Sequence, residues 1–399
     1  MKQGDVPSLP KGWEIKRIDD ACEVEYGTRV VNKRDGGTIY PVYGGGGATF
    51  FMDTYNRENC FIVARFAMSE QCTRFVKGKF FLNDSGLSVS PKNSKEILQD
   101  FLNLQLLYLN DHIYSLARGT AQKNLDVPAF RNIEISYPKS LPEQQRIVAI
   151  LDKTFAALDQ AKAKTEQNLK NAKELFESYL GGVFEKKGNG WEDYNLKEIT
   201  KKIGSGATPR GGQENYKSEG ISLVRSMNVH DWEFRDKNLA YIDEKQAKEL
   251  DGVTLQENDV LLNITGASVA RCCVFPIEYL PARVNQHVSI IRPKKDILDS
   301  KFLNLLLTSK VYKDQLLFTG EQGATRQAIT KAQIESFRIS IPSLKVQQTI
   351  VHQLNALRSE TQKLEAIYQK KLLALEELKK SVLAKAFAGE LTENSVVYE

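Results

Sequence analysis

Two short stretches of this chain concentrate side chains suited to reading nucleic-acid bases. Gln122, Lys123 and Asn124 follow one another in the first half, and Gln322, Thr325, Arg326 and Gln327 cluster in the second. An arginine can span O6 and N7 of guanine, and the amides of Asn and Gln can span N6 and N7 of adenine. This chemistry therefore fits major-groove reading or phosphate contact. A solvated loop would carry the same residues. Glycines supply a second signal: Gly44 to Gly47, with Gly45 and Gly46 at their centre, and Gly204, Gly206, Gly211 and Gly212 around Thr208, Pro209 and Arg210. They permit close backbone approach or positive φ, which suits an ordinary turn or a DNA-facing loop equally. A nucleotide-binding loop fails on context, because GGGG runs into ATFF rather than a helix start and no G-x-x-x-x-G-K-[ST] occurs. Tyr43, Arg65 and Arg118 complete the candidates of the first half. Arg225, Asn228, Asn263, Thr265, Arg283, Asn285 and Gln286 are further candidates in the second, each of which a structural role would also explain.

Other chemistries find little support. His112, His230, His287 and His352 are isolated, and the five cysteines (Cys22, Cys60, Cys72, Cys272, Cys273) show no C-x-x-C spacing, so neither a zinc site nor a disulfide framework is expected. The sequence lacks an Asn-Pro-Pro-Tyr/Phe-like methyltransferase motif, an ATPase loop and a convincing PD-(D/E)xK nuclease constellation. With 399 residues, 41% hydrophobic and 26% charged, the chain has the composition of a soluble protein of two to three domains. A net charge of +5 favours a polyanionic partner without demanding one. No apolar run approaches a membrane span and the N-terminus has no hydrophobic signal region, so a cytoplasmic location is expected.

The elements that position these residues are written twice. Apolar or small residues at Ile147, Leu151, Thr154, Leu158, Ala161, Thr165, Leu169, Ala172, Phe176, Tyr179 and Val183 recur with the three-then-four spacing that only a helix places on one stripe. A second stripe passes through Ile350, Leu354, Leu357, Thr361, Leu364, Tyr368, Leu372, Leu375, Leu378 and Val382. Roughly 40 helical residues span about 60 Å, and two such stripes can bury each other as a coiled coil. Gly12-Trp13-Glu14 is matched by Gly190-Trp191-Glu192, and the stretch from Gln122 aligns with that from Arg326, pairing Pro138 with Pro342 and Gln144-Gln145 with Gln347-Gln348. The offset grows from 178 to 203 residues, so the frames match while the fillings differ. Short β-branched segments such as CFIVARFAM and HVSIIRP, with FLNLQLLYLN and FLNLLLTSKVY as helices, make each filling an α+β globule. Antiparallel packing of the helices would relate the globules by a pseudo-twofold axis, and duplex DNA is the natural ligand for such an object.

These residues resemble the specificity subunit of type I restriction–modification systems. The resemblance rests on PKSLPEQQRIV and PSLKVQQTIV at the helix entries, on YPVYGGGG and GTAQKNL in the first filling, and on IGSGATPRGG, NDVLLNITGASVARC, VNQHVSIIRP and GATRQAIT in the second. It implies an α+β fold with two globular target recognition domains, at 1–141 and 188–343, separated by two long antiparallel coiled-coil helices at 142–187 and 344–391, and a tail at 392–399. It also implies a non-catalytic subunit that binds a bipartite, asymmetric target in double-stranded DNA. Two modification subunits would bring S-adenosylmethionine, and two restriction subunits would bring ATP and Mg2+. A protein-interaction scaffold with two heads is the competing reading, and a self-sufficient adenine methyltransferase is disfavoured by the missing motifs.

Overall fold

The computed structural model describes residues 10–209, 212–321 and 328–391. Arg210, Gln322, Thr325, Arg326 and Gln327 lie outside the described residues. The described chain divides into two compact units, one running to Glu166 and resuming at Lys370, the other running from Gln167 to Gln369.

The first unit opens on β1 (Trp13–Arg17), which pairs antiparallel with β8 (Glu134–Pro138), Trp13 opposite Pro138. Between them a six-stranded sheet is built from β2 (Cys22–Tyr26), β3 (Tyr40–Tyr43), β4 (Ala48–Met52), β5 (Arg57–Ala64), β6 (Thr73–Leu82) and β7 (Gly86–Pro91), in the order β2-β7-β5-β6-β3-β4. The central strand β5 ends in five buried residues, as a strand covered on both faces must. Helix α1 (Gln99–Tyr108) follows the sheet. Helix α2 (Val127–Arg131), capped by the Asp126 carboxylate on Ala129 N–H at 3.1 Å, precedes β8.

The second unit repeats the plan. Strand β9 (Glu192–Asn195) leads into the short helix α4 (Leu196–Ile199) and pairs with β17 (Arg338–Ile341). Strands β10 (Thr200–Ser205), β13 (Val260–Asn263), β14 (Cys272–Val274) and β16 (Val288–Pro293) form a sheet in the order β10-β16-β13-β14. A second, three-stranded sheet of β11 (Ile221–Val224), β12 (Ala240–Ile242) and β15 (Ala282–Val284) has its own apolar cluster, and its parallel β11–β15 and antiparallel β11–β12 pairings repeat those of β3 with β6 and with β4 in the first unit. Helices α5 (Ser300–Thr308) and α6 (Lys331–Glu335) match α1 and α2.

The long helices are α3 (Leu141–Lys186) and α7 (Leu344–Phe387). Each gives one half to each unit. In the first unit Lys162 Nζ lies 2.7 Å from Glu376 Oε1 and Lys379 Nζ sits 4.8 Å from the centre of the Phe155 ring, so the start of α3 runs antiparallel beside the end of α7. In the second, Phe176 of α3 and Arg358 of α7 both pack on the Trp232 indole, at 5.3 and 4.9 Å. The expected boundaries set each helix apart as a segment of its own, whereas the compact units cut both helices near their middles. The reason is burial at the helix ends: Ile147, Leu151, Leu383, Ala386 and Phe387 belong to the core of the first unit, and Phe176, Leu180, Phe184, Val351 and Leu354 to that of the second. The expected stripes need correction in the same sense. Tyr179, Leu364 and Leu378 are 46%, 38% and 48% exposed, and Leu180 takes the buried place of Tyr179. A straight helix drifts against a fixed three-four pattern, and a single neighbouring helix covers only part of its girth.

Within each unit an aromatic cluster locks helix end to globule. Phe387 packs against Phe101 at 5.4 Å and Tyr108 at 5.5 Å, with Trp13 at the edge of Phe101. Phe184 packs in the same way against Phe302 at 5.5 Å and Trp191 at 6.2 Å. The Gly-Trp-Glu motifs are thus the aromatic anchors that open each globule. All five cysteines are free and buried, and burial pushes the thiols of Cys22 and Cys273 up to about 12. Among the described residues no helix is long and apolar enough to cross a membrane.

Candidate nucleic-acid interface

In the first unit four loops converge beyond the ends of β3, β5 and β7. The 83–86 turn is their hub. Asn83 Oδ1 accepts from Ser85 N–H at 2.6 Å, Ser85 Oγ accepts from Gly45 N–H at 3.2 Å, and Ser85 O accepts from Arg65 N–H at 2.8 Å. A Cβ on Gly45 would stand 2.5 Å from Phe66 O, so Gly45 is a close-packing device for this junction, whereas a Cβ on Gly46 would meet nothing within 4 Å. The 122–125 loop joins from the other side: Lys123 O accepts from Met68 N–H at 2.9 Å, and Asn124 Oδ1 accepts from Ala67 N–H at 3.3 Å. Arg65, on this platform, holds its guanidinium 5.0 Å from the Tyr26 ring centre and 4.1 Å from that of Phe66. Lys123 donates to Tyr114 Oη at 3.0 Å and lies over its ring, and Gln122 is exposed beside it. The loops therefore present cations seated on aromatic faces, an arrangement that serves phosphate and base edges alike.

The second unit builds the corresponding junction at 284–287. Asn285 Oδ1 accepts from His287 N–H at 3.1 Å, as Asn83 does from Ser85. Gly206 approaches so closely that a Cβ would stand 1.7 Å from Val284 O, which excludes any other residue there. Thr208 donates to Gln286 Oε1, and Thr265 Oγ1 lies 2.6 Å from His287 Nδ1. Thr265 also forms a β-bridge with Ala328. Thr208, Thr265, Gln286 and His287 thus form one polar cluster, with Thr208 and Gln286 exposed.

The remaining sequence candidates separate by burial. Tyr43 packs its ring on Phe80 at 5.5 Å, Gly46 is exposed, and Arg118 is exposed and paired with Asp126. Arg225 leans over Tyr216 and donates to Asn238 O. Asn228 and Asn285 are corrected to structural residues. Asn228 is fully buried, with its amide donating to Arg235 O and accepting from Arg225 N–H, and Asn285 is 5% exposed and closes its own turn. Asn263 is fully buried too, and Arg283 is buried with Asp251 as its partner. A buried polar group must spend its hydrogen bonds internally. The sequence reading missed Tyr26, Phe66, Asn83, Ser85 and His287 as members of these junctions. The matching spacing of Asn83 to Pro91 and Asn285 to Pro293 was the available signal, and the strands confirm it, with Cys22 opposite Pro91 and Thr200 opposite Pro293.

Each junction stands on its own copy of the same frame. Gln144 is fully buried, and its side chain accepts from Leu98 N–H and donates to Glu96 O and Pro138 O, all at 2.8 Å. Gln347, equally buried, accepts from Asp299 N–H and donates to Ile297 O and Pro342 O, all at 2.9 Å. The fold and its loops define a class: an internally duplicated recognition protein, in which one scaffold presents two different polar loop clusters. A family model described as the type I restriction modification DNA specificity domain matches residues 10–171 and again 188–373, and the chain belongs to that family.

Individual relatives agree. The chain is 27% identical over 174 residues to the EcoBI specificity subunit of Escherichia coli, covering 44% of this chain and 36% of that protein. It is 25% identical over 305 residues to the EcoKI specificity subunit of Escherichia coli K12, covering 72% and 63%. The chain thus spans between about a third and two thirds of the length of these two relatives. Against the MjaIX specificity subunit of Methanocaldococcus jannaschii the match reaches 98% of this chain and 96% of that protein at 22% identity. Two solved structures share the fold. One, from work on complex assembly and conformational transition of the type I R-M system, has a TM-score of 0.74 at 19% identity over 96% of this chain and 100% of that one. The other is the HsdS subunit of Thermoanaerobacter tengcongensis, with a TM-score of 0.61 at 20% identity over 98% and 100%.

Proposed function

We propose that this chain is the DNA sequence-recognition subunit of a type I restriction–modification complex. It reads a bipartite, asymmetric target, one part through the loops of the 1–141 domain and the other through those of the 188–343 domain, with the helices at 142–187 and 344–391 between them. The subunit is non-catalytic. Two modification subunits bring S-adenosylmethionine and two restriction subunits bring ATP and Mg2+, all in the cytoplasm.

The observation that carries this reading is the contrast between frame and filling. The buried Gln144 and Gln347 make the same three bonds in each copy, while at the matching turns Asp84 and Ser85 in one copy correspond in sequence to Gln286 and His287 in the other. A duplicated scaffold that changes its polar tips suits a ligand of constant shape and variable edges, which describes the major groove.

The test is a domain exchange. Replacing residues 12–140 by the corresponding domain of a relative, followed by mapping of methylated adenines in a genome carrying the chimera and its modification partner, should change one part of the target and leave the other intact. A chimera that alters both parts overturns the modular reading.

A further inference from the structure

Beside its recognition loops the second unit carries an open groove of about 610 Å³ that those loops do not account for. Strand β10 forms its floor, the turn at Gly252 and Val253 one wall, and α6 the other. Lys197, Lys201 and Lys331 line it, and all three are exposed. Glu335 lies 3.6 Å from Lys331, while Lys197 and Lys201 have no acidic partner among the described residues. Lys202 is already spent, since its ammonium donates to Gly252 O and burial lowers its pKa.

Two features say what the groove serves. The first is position. Its floor ends at Gly204 and Ser205, directly before Gly206 and Thr208, and Lys331 follows Ala328, which bridges Thr265. The lysines therefore sit on the elements that leave the polar cluster. The second is the internal repeat. Where the second copy has Lys197 and Lys201, the equivalent helix and strand of the first carry Asp19 and Glu23, and Asp19 is held by Arg131. A partner docking on the shared frame would ask for similar charge in both copies. The reversal ties this charge to the ligand of the second filling. The three lysines also stand on three different elements around one open groove, Lys197 on α4, Lys201 on β10 and Lys331 on α6, which suits an extended polyanion over a single small anion.

We propose that this groove carries a stretch of DNA sugar-phosphate backbone next to the second half-target, held through Lys197, Lys201 and Lys331. The proposal rests on the reading above that the chain binds duplex DNA. These contacts set affinity and register and carry no base preference.

The test uses the full chain in its modification complex, with the triple variant K197Q/K201Q/K331Q and its arginine counterpart K197R/K201R/K331R. Affinity for a duplex with the target and for one without it is measured across salt concentrations. The glutamine variant should lose two to three from the slope of log affinity against log salt, roughly 0.9 per lost contact. It should weaken both duplexes by the same factor and methylate the same sequence, and the arginine variant should keep the wild-type slope. A wild-type slope in a folded glutamine variant, or a changed base in the methylated target, overturns the groove while leaving the DNA reading intact. If the wild-type complex binds neither duplex, the recognition reading itself fails and the groove with it. If millimolar inorganic phosphate at matched ionic strength raises the melting temperature of the wild type but not of the glutamine variant, and the DNA slope is unaltered, the groove is a small-anion site and the proposal is overturned.

Discussion

At the scale of the residue, what distinguishes a reading side chain from a supporting one is where its hydrogen bonds end. Asn285 and Gln286 are neighbours of similar chemistry, yet the first closes a buried turn and the second is exposed beside Thr208. Arg65 is the first unit's candidate reader, because its guanidinium rests against both the Tyr26 and the Phe66 rings. Stacking of this kind orders the planar fork before it meets a base, so less freedom is lost on binding. Arg65→Ala should therefore relax selectivity at a single base pair of one half-target by about 1 to 3 kcal/mol, and Gln286→Ala should do the same in the other half. Binding titrations against duplexes varied one base pair at a time would show it. A uniform loss over all duplexes would assign the residue to phosphate, and unchanged binding throughout would remove it from the interface. Residue types revealed the kind of chemistry in the sequence, but burial was hidden: nothing local separates Asn228, fully buried, from Asn124, whose loop lies on the surface.

At the scale of the element, the Gln-Gln pairs at the two helix entries show how a frame repeats. Only the first glutamine of each pair is buried. Gln144 and Gln347 each tie three backbone groups to the start of a long helix, while Gln145 and Gln348 face outward. Replacing Gln144 by Leu would keep the volume and leave Leu98 N–H and two carbonyls unpaired in the interior, at a cost of at least about 3 kcal/mol, since each unsatisfied buried group costs about 1 to 3 kcal/mol. Gln347→Leu should cost a similar amount, and chemical denaturation of each variant checks both, with a loss below about 0.5 kcal/mol ruling the clamp out. The long helices were legible because 3.6-residue periodicity is local and sustained. The pairing of β2 with β7 and of β10 with β16 was not, because it joins segments more than 60 residues apart. Few identities mark it: Asn83 with Asn285 and Pro91 with Pro293. The first strand of the three-stranded sheet in the second copy, within ISLVRSMNV, was legible from its β-branched residues, but its parallel pairing with Ala282–Val284 was not, because that too joins segments about 60 residues apart.

At the scale of the whole molecule, helix length is the magnitude that the sequence writes most plainly, with 46 residues in α3 and 44 in α7. Each helix leaves one compact unit and enters the other, so any change in its length is felt by the chain on both sides. Four residues inserted after Ala161 and four after Leu364, matched positions of the repeat, would lengthen each helix by about 6 Å and keep its apolar stripe nearly in phase, as four residues are about 1.1 turns. Both ends would remain anchored, because Phe184 and Phe387 keep their aromatic partners at the helix termini. A base pair rises about 3.4 Å along the duplex. If the helices set the separation of the two half-targets, the non-specific spacer between them should lengthen by one to two base pairs with both half-targets unchanged. Mapping methylated adenines in a genome carrying the insertion mutant measures the spacer directly. An unaltered spacer in an active, folded mutant would show that the loops, and not the helices, fix the distance.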